Sequence, residues 1–203
     1  MRCAVRHLID KRIPFVSLIV AGSVLALTGV LLAAPATPAA VRQTDQVVEV
    51  KVLLSRDGVR PGEAVKAAIL LKVQGGYHIN DNAPRDEFLV PTTLTFDEIP
   101  GLEVVEIYYP AGRRARYAYS QMELSVYEGE AILGAIIKIG PGTAAGPLKL
   151  KGALSYQACD NASCLPPKDL PFEVTVPVVA AGREVRELNA EVFAKIPFST
   201  KLK

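Results

Sequence analysis

At 203 residues and a formal net charge of +2, the chain is long enough for one domain with its own core once a targeting segment is set aside. The charge is uneven: residues 1–36 carry Arg2, Arg6, Lys11 and Arg12 against Asp10, a net of +3, which leaves −1 for the remainder. A near-neutral remainder gives no electrostatic footing for nucleic acid, and its single histidine, His78, is too few for most imidazole metal sites, so neither a metal nor a cofactor is expected.

Residues 1–40 read as a signal peptide or an N-terminal membrane anchor. A basic stretch from Arg2 to Arg12 precedes an uncharged apolar run from Ile13 to Ala34, and Ala34-Pro35-Ala36 fits a small-residue cleavage site. The run is also long enough to span a bilayer, which keeps residues 13–34 open as a retained anchor. Both readings leave the basic end in the cytoplasm and residues 42–203 outside it, in a periplasmic or other extracytoplasmic space. Cys3 precedes the apolar run. The exported part therefore holds two cysteines, Cys159 and Cys164, where disulfides are permitted.

Residues 35–45 read as a tether without core-forming side chains. From Gln46 the pattern is β: Val48, Val50, Val52 and Leu54 alternate with Glu49, Lys51 and Leu53. Asp57-Gly58 and Pro61-Gly62 mark turns before the apolar run Val65 to Val73. Tyr77 to Asn80 is a short strand, followed by a polar loop and a further strand, Thr92 to Phe96. Leu102 to Tyr109 is another, and Pro110 to Arg116 is an arginine-rich connection whose Arg113, Arg114 and Arg116 read as a solvated tip. Val126 to Ile139 is a long β run with expected breaks at Gly129 and Gly134. Leu148, Leu150, Leu154 and Tyr156 alternate with polar or small residues and lead directly into Cys159. After Pro166-Pro167, Phe172, Val174 and Val176 alternate with Glu173 and Thr175. These short strands with regular turns predict an all-β chain, an immunoglobulin-like antiparallel β-sandwich over residues 41–180. In residues 181–203, Val185, Leu188, Val192 and Ile196 fall at helical spacing and predict a short amphipathic C-terminal helix packed on the sandwich.

The stretch with chemistry is Ser155 to Pro167, in which four short residues separate Cys159 from Cys164. Its residues alone leave two readings open. One is an immunoglobulin-like binding or structural module whose disulfide only pins a loop. The other is a redox-active pair. A ring of about six residues stabilises by only about 2 kcal/mol on the chain-entropy model, and a domain of this size has little need of a staple. The pair has neither the Cys-x-x-Cys spacing nor a helix N-terminus to lower a thiol pKa. Asp160, beside Cys159, disfavours that thiolate further. Such a pair suits a carrier that exchanges only inside a complex with a specialised partner. Candidate site-lining residues are Tyr77, His78, Phe88, Tyr117, Tyr119 and Tyr156; His78 reads more readily as a half-exposed strand residue than as a proton carrier.

Tyr156-Gln157-Ala158-Cys159 with Cys164-Leu165-Pro166-Pro167 resembles the active-site loop of the N-terminal periplasmic domain of the thiol:disulfide interchange protein DsbD family. Gly76 to Asn80, Asn82 to Thr92, Tyr109-Pro110 and Val126 to Gly129 are similar to that family in the same order, so the resemblance spans about residues 46–178. It implies an immunoglobulin-like fold and a reversible Cys159–Cys164 disulfide. It further implies exchange with thioredoxin-like partners and a separate membrane electron-transfer protein. Cys164 would form the mixed disulfide and Cys159 would resolve it. The region matching the family's aromatic cap, Arg116 to Gln121, offers Tyr117 and Tyr119 without adjacent acids.

Overall fold

The computed structural model describes residues 41–44 and 47–199, so the targeting segment expected over residues 1–40 lies outside the described residues. The first strands follow directly from the side-chain pattern. In β2 (Val48–Leu54) every second residue is buried, and the same faces recur in β3 (Ala64–Val73) and β9 (Glu130–Ile139). Together with β1 (Val41–Thr44) and β6 (Leu102–Tyr108) these strands form one antiparallel sheet in the order β1-β2-β3-β9-β6. Against it stands a second sheet, β12-β10-β5, made of β5 (Thr93–Phe96), β10 (Gly146–Tyr156) and β12 (Lys168–Val178). Val50, Val52, Ile69, Leu71, Leu133 and Ile137 from the first sheet share one core with Leu150, Leu154, Phe172, Val174 and Val176 from the second. The expected all-β sandwich is present. Pro171 and Pro177 fit β12 because it is an edge strand, where a missing N–H costs no ladder bond.

A third, smaller sheet runs β11-β4-β8-β7, with β4 (His78–Asn80), β7 (Arg113–Ala115), β8 (Leu124–Tyr127) and β11 (Ala158–Cys159). It is built by strands that change sheets. The long strand β10 ends at Tyr156, and after Gln157 the chain pairs with β4 instead of β5. Ile79, Tyr127 and Ala158 keep one face of this sheet in the common core. The opposite face carries the cysteines.

Four details depart from the sequence reading. Residues 41–44 are an edge strand paired with β2, Val41 opposite Val52, although they lie in the stretch read as a tether; ladder bonds to an edge require no apolar pattern. Part of the arginine-rich connection is strand β7, with Arg113 opposite Val126. The long run from Val126 breaks only at Gly129 (φ 62°), the left-handed corner between β8 and β9. Gly134 lies inside β9; a Cβ there would sit 2.6 Å from the Phe198 ring, so the glycine makes room for the tail.

The tail itself is helical only over α1 (Ala190–Phe193). The backbone before it pairs with the segment after β2: Asp57 N donates to Arg186 O (3.1 Å) and Leu188 N to Ser55 O (2.7 Å). Those bonds hold Val185 and Leu188 in extended chain, out of the expected helix. Beyond α1, Phe193 and Ile196 pack on Ala68 at the outer face of the first sheet, joined by Val192 and Phe198. This explains why β3 and β9 are apolar on both faces. Among the described residues no helix is long and apolar enough to cross a membrane, and residues 13–34 lie outside them.

Candidate redox site

Ala158 to Leu165 is a small hairpin closed by its own backbone. Leu165 N donates to Ala158 O (2.8 Å) and Asp160 N to Ser163 O (2.9 Å). Between these bonded pairs, Cys159 and Cys164 face each other as the close, non-hydrogen-bonded pair of an antiparallel ladder, with Cα atoms 3.9 Å apart and the sulfurs joined. The turn is organised by Asp160, whose Oδ1 accepts from Ala162 N (2.7 Å) and Ser163 N (2.8 Å). These amides, that of Ala162 first, hold the Asp160 carboxyl below its ordinary pKa. Gln157 Nε2 donates to Leu165 O (3.1 Å) and ties the two arms at the base.

The two sulfurs are not equivalent. Cys159 is 0% exposed, whereas Cys164 is exposed. The reason lies in the pairing: Cys159 is flanked by β4 on one side and by Cys164 on the other, while Cys164 sits on the outer arm that leads to Pro166-Pro167.

Opposite Cys159 in β4 stands His78. Residues directly opposite in an antiparallel pair project to one face, so His78, Cys159 and Cys164 form a row. Continuing the β4–β8 register by one residue, from Ile79 opposite Tyr127, extends the row to Glu128. His78 is 2% exposed, not half-exposed as its strand position suggested. Its cover is aromatic. The Tyr117 ring stacks on it at 3.8 Å between centroids and 13° between planes, and the Tyr119 ring lies nearly parallel at 6.1 Å. Tyr119 Oη shares a 2.6 Å hydrogen bond with His78 Nε2. Tyr117 Oη donates to Glu128 Oε1, and the Arg113 guanidinium donates to Glu128 Oε2.

The electrostatics follow from this cover. Burial lowers the His78 pKa, favouring neutral imidazole, against the opposing charges of Glu128 and Asp160. The Tyr117 hydrogen bond, with Arg113 behind it, lowers that of Glu128 despite partial burial. Burial raises the phenol pKa of both Tyr117 and Tyr119; the Glu128 bond adds to the first and the Asp160 charge to the second.

Of the candidate lining residues, His78, Tyr117 and Tyr119 come together in one ring stack. Tyr156 is a buried member of the sandwich core, and Tyr77 packs half-buried against the same core. Phe88 stands 85% exposed on the turn where Leu89 N donates to Asp86 O. The sequence reading missed Glu128 as an acid beneath the tyrosines; Arg113 is exposed, as read, and its guanidinium also reaches Glu128. The tyrosines do have an acid, supplied across the sheet and eleven residues away in sequence from Tyr117. Only the alternation of β8 hinted at it.

The family described as thiol:disulfide interchange protein DsbD, N-terminal, matches residues 32–176. The chain belongs to this family. Membership and the formed Cys159–Cys164 bond support a role in thiol–disulfide exchange, and the DsbD N-terminal family implies an extracytoplasmic location. The N-terminal periplasmic domain of ScsB from Proteus mirabilis is similar at 13% identity and a TM-score of 0.52, covering 78% of this chain and 59% of that one. The N-terminal domain of Neisseria meningitidis DsbD, in its reduced form, is similar at 18% identity and a TM-score of 0.38, covering 77% of this chain and 94% of that one. At 13% identity the ScsB likeness is one of fold, and the chain spans 59% of that relative. No curated protein matches the chain.

Proposed function

We propose that this domain carries reducing equivalents between thioredoxin-like partners, with Cys164 as the sulfur that forms the mixed disulfide and Cys159 as the one that resolves it. The observation that carries this assignment is the asymmetry of the pair: Cys164 is exposed and Cys159 is fully buried. A partner thiolate attacks Cys164 Sγ, the Sγ–Sγ bond breaks, and its electron pair leaves on Cys159. The partner's second thiolate then attacks its own sulfur in the mixed disulfide and releases Cys164. Two electrons pass to this domain and the partner becomes oxidised; the reverse sequence reduces a partner. Relative potentials set the direction. A membrane electron-transfer protein at one end of the relay belongs to the same reading.

The staple alternative draws little support from the geometry. The disulfide joins residues that backbone hydrogen bonds already hold on both sides, so it closes a ring the hairpin has largely formed. Trapping tests the assignment. Cys159→Ser should accumulate a covalent complex with a thioredoxin-like protein carrying a single active-site cysteine, and Cys164→Ser should not. Trapping by Cys164→Ser as good or better would reverse the roles. No complex with either variant would count against a carrier.

A further inference from the structure

We infer that His78 is the proton-exchange partner of Cys159: its imidazole takes the Cys159 proton when that sulfur attacks, and returns it when that sulfur leaves. The inference rests on the exchange reading above and adds a residue to it. Three observations carry it. His78 is directly opposite Cys159 in the β4–β11 ladder, on the same face and buried with it. Its ring is held by the Tyr117 stack and the Tyr119 hydrogen bond, so it has a fixed orientation. And Cys159, fully buried, lacks the bulk water that accepts a thiol proton on a surface.

In the mixed disulfide between Cys164 and a partner, Cys159 is a thiol. In the tautomer that carries its proton on Nε2, neutral His78 donates to Tyr119 Oη, and the Nδ1 lone pair is left to accept the Cys159 proton. The thiolate attacks Cys164 Sγ, the Cys159–Cys164 bond forms, and the partner sulfur departs as thiolate. The imidazolium then loses its proton, and the departed thiolate ends as a thiol. In the opposite direction a protonated His78 gives its proton to Cys159 as that sulfur leaves Cys164. Neutral imidazole is the form that burial favours in the disulfide state. The charged and titratable groups facing His78 are Glu128, from the end of β8; Arg113, from β7; Asp160, from the turn after β11; and the phenols of Tyr117 and Tyr119. Glu128 and Asp160 favour the imidazolium that forms transiently, and Arg113 opposes it.

The full chain, reduced and then mixed with oxidised glutathione as the probe, separates the steps. Glutathione is captured at Cys164 and released when Cys159 attacks. With His78 present, release near pH 7 should depend weakly on pH. In His78→Gln it should be slower by about tenfold or more near pH 7 and rise steeply with pH until the two proteins converge, the size expected for one proton-transfer group. The same pH profile in both proteins would overturn the inference while leaving exchange intact. Loss of capture and release in the unmutated chain would instead sink the exchange reading itself. Because His78 is buried, a second measurement avoids the variant. The imidazole of His78, resolved from that of His7 by nuclear magnetic resonance, should titrate differently in the oxidised and reduced chain, and the difference should vanish in reduced Cys159→Ser. An identical titration in all three states would also overturn it.

Discussion

Two of the faces that lie outside the common core are covered in opposite ways. On the first sheet, the tail lays Phe193, Ile196 and Phe198 over Ala68 and Gly134, an apolar cover. It is locked at its start by a buried carboxylate. Asp57 accepts from Arg186 N (2.8 Å) and Arg186 Nε (2.8 Å), with Arg183 within 4.0 Å. On the small sheet, the cover is a polar ring stack, Tyr119, His78 and Tyr117, tied to Glu128 and Arg113. Apolar burial contributes stability in proportion to area and asks for no particular function. A polar stack returns little net stability per bond, but it fixes proton-bearing groups beside the row that holds the buried sulfur. One cover adds apolar burial; the other sets titratable rings beside Cys159, where the proposed exchange would use them.

That division can be broken deliberately. The largest effect is expected at the tail lock. Asp57→Ala removes two hydrogen bonds to a charged acceptor and should cost about 3 kcal/mol of stability, read by denaturant unfolding, with exchange rates on the folded protein unchanged. The pH dependence has a definite sign. The Arg186 backbone and side-chain bonds hold the folded Asp57 pKa below its ordinary value. Its contribution is therefore complete above the unfolded value, near pH 4, and is lost as pH falls through the lower folded value. The acid limb of the stability curve should flatten in Asp57→Asn. An exchange defect in the folded variants would erase the division.

Gly134→Ala is next. The added methyl meets the Phe198 ring at 2.6 Å and Ile196 at 2.8 Å, so the tail must lift, at about 2 kcal/mol for an overpacked site. Protection of the α1 amides against hydrogen exchange should fall while the sandwich strands keep theirs. The smallest stability change belongs to the site itself. Replacing both Cys159 and Cys164 by Ser should cost at most about 2 kcal/mol and leave one cooperative transition, since Leu165 N–Ala158 O and Asp160 N–Ser163 O still close the hairpin. A double variant unfolded at room temperature would move the pair to the stabilising side of the comparison.

Much of the sandwich was legible because alternation is a local property. Val48 to Leu54 and Phe172 to Val176 state which face is buried without reference to any partner. The short helix of the tail was legible too, but it spans fewer residues than the spacing implied, for a related reason. Helical spacing of Val185, Leu188, Val192 and Ile196 describes a possible face, but the Arg186 backbone is engaged by Asp57, 129 residues earlier, and the Leu188 backbone by Ser55. Non-local ladder bonds overrode a local pattern. Gly134 likewise read as a break, because nothing near it in sequence announces Phe198.

At the site, the chain by itself determined the pair. Cys159, Asp160, Cys164 and the prolines after them are contiguous, and their short hairpin is a property of ten or so residues. Which sulfur faces solvent, that His78 lies beneath tyrosines, and that Glu128 and Arg113 belong to the same cluster were decided only by tertiary structure. These relations depend on β11 leaving β10's sheet to pair with β4, and on β7 and β8 folding back beside it. Period-2 patterns say that a residue has a buried side; they do not say which strand lies next to it, because that is settled by the packing of the whole core.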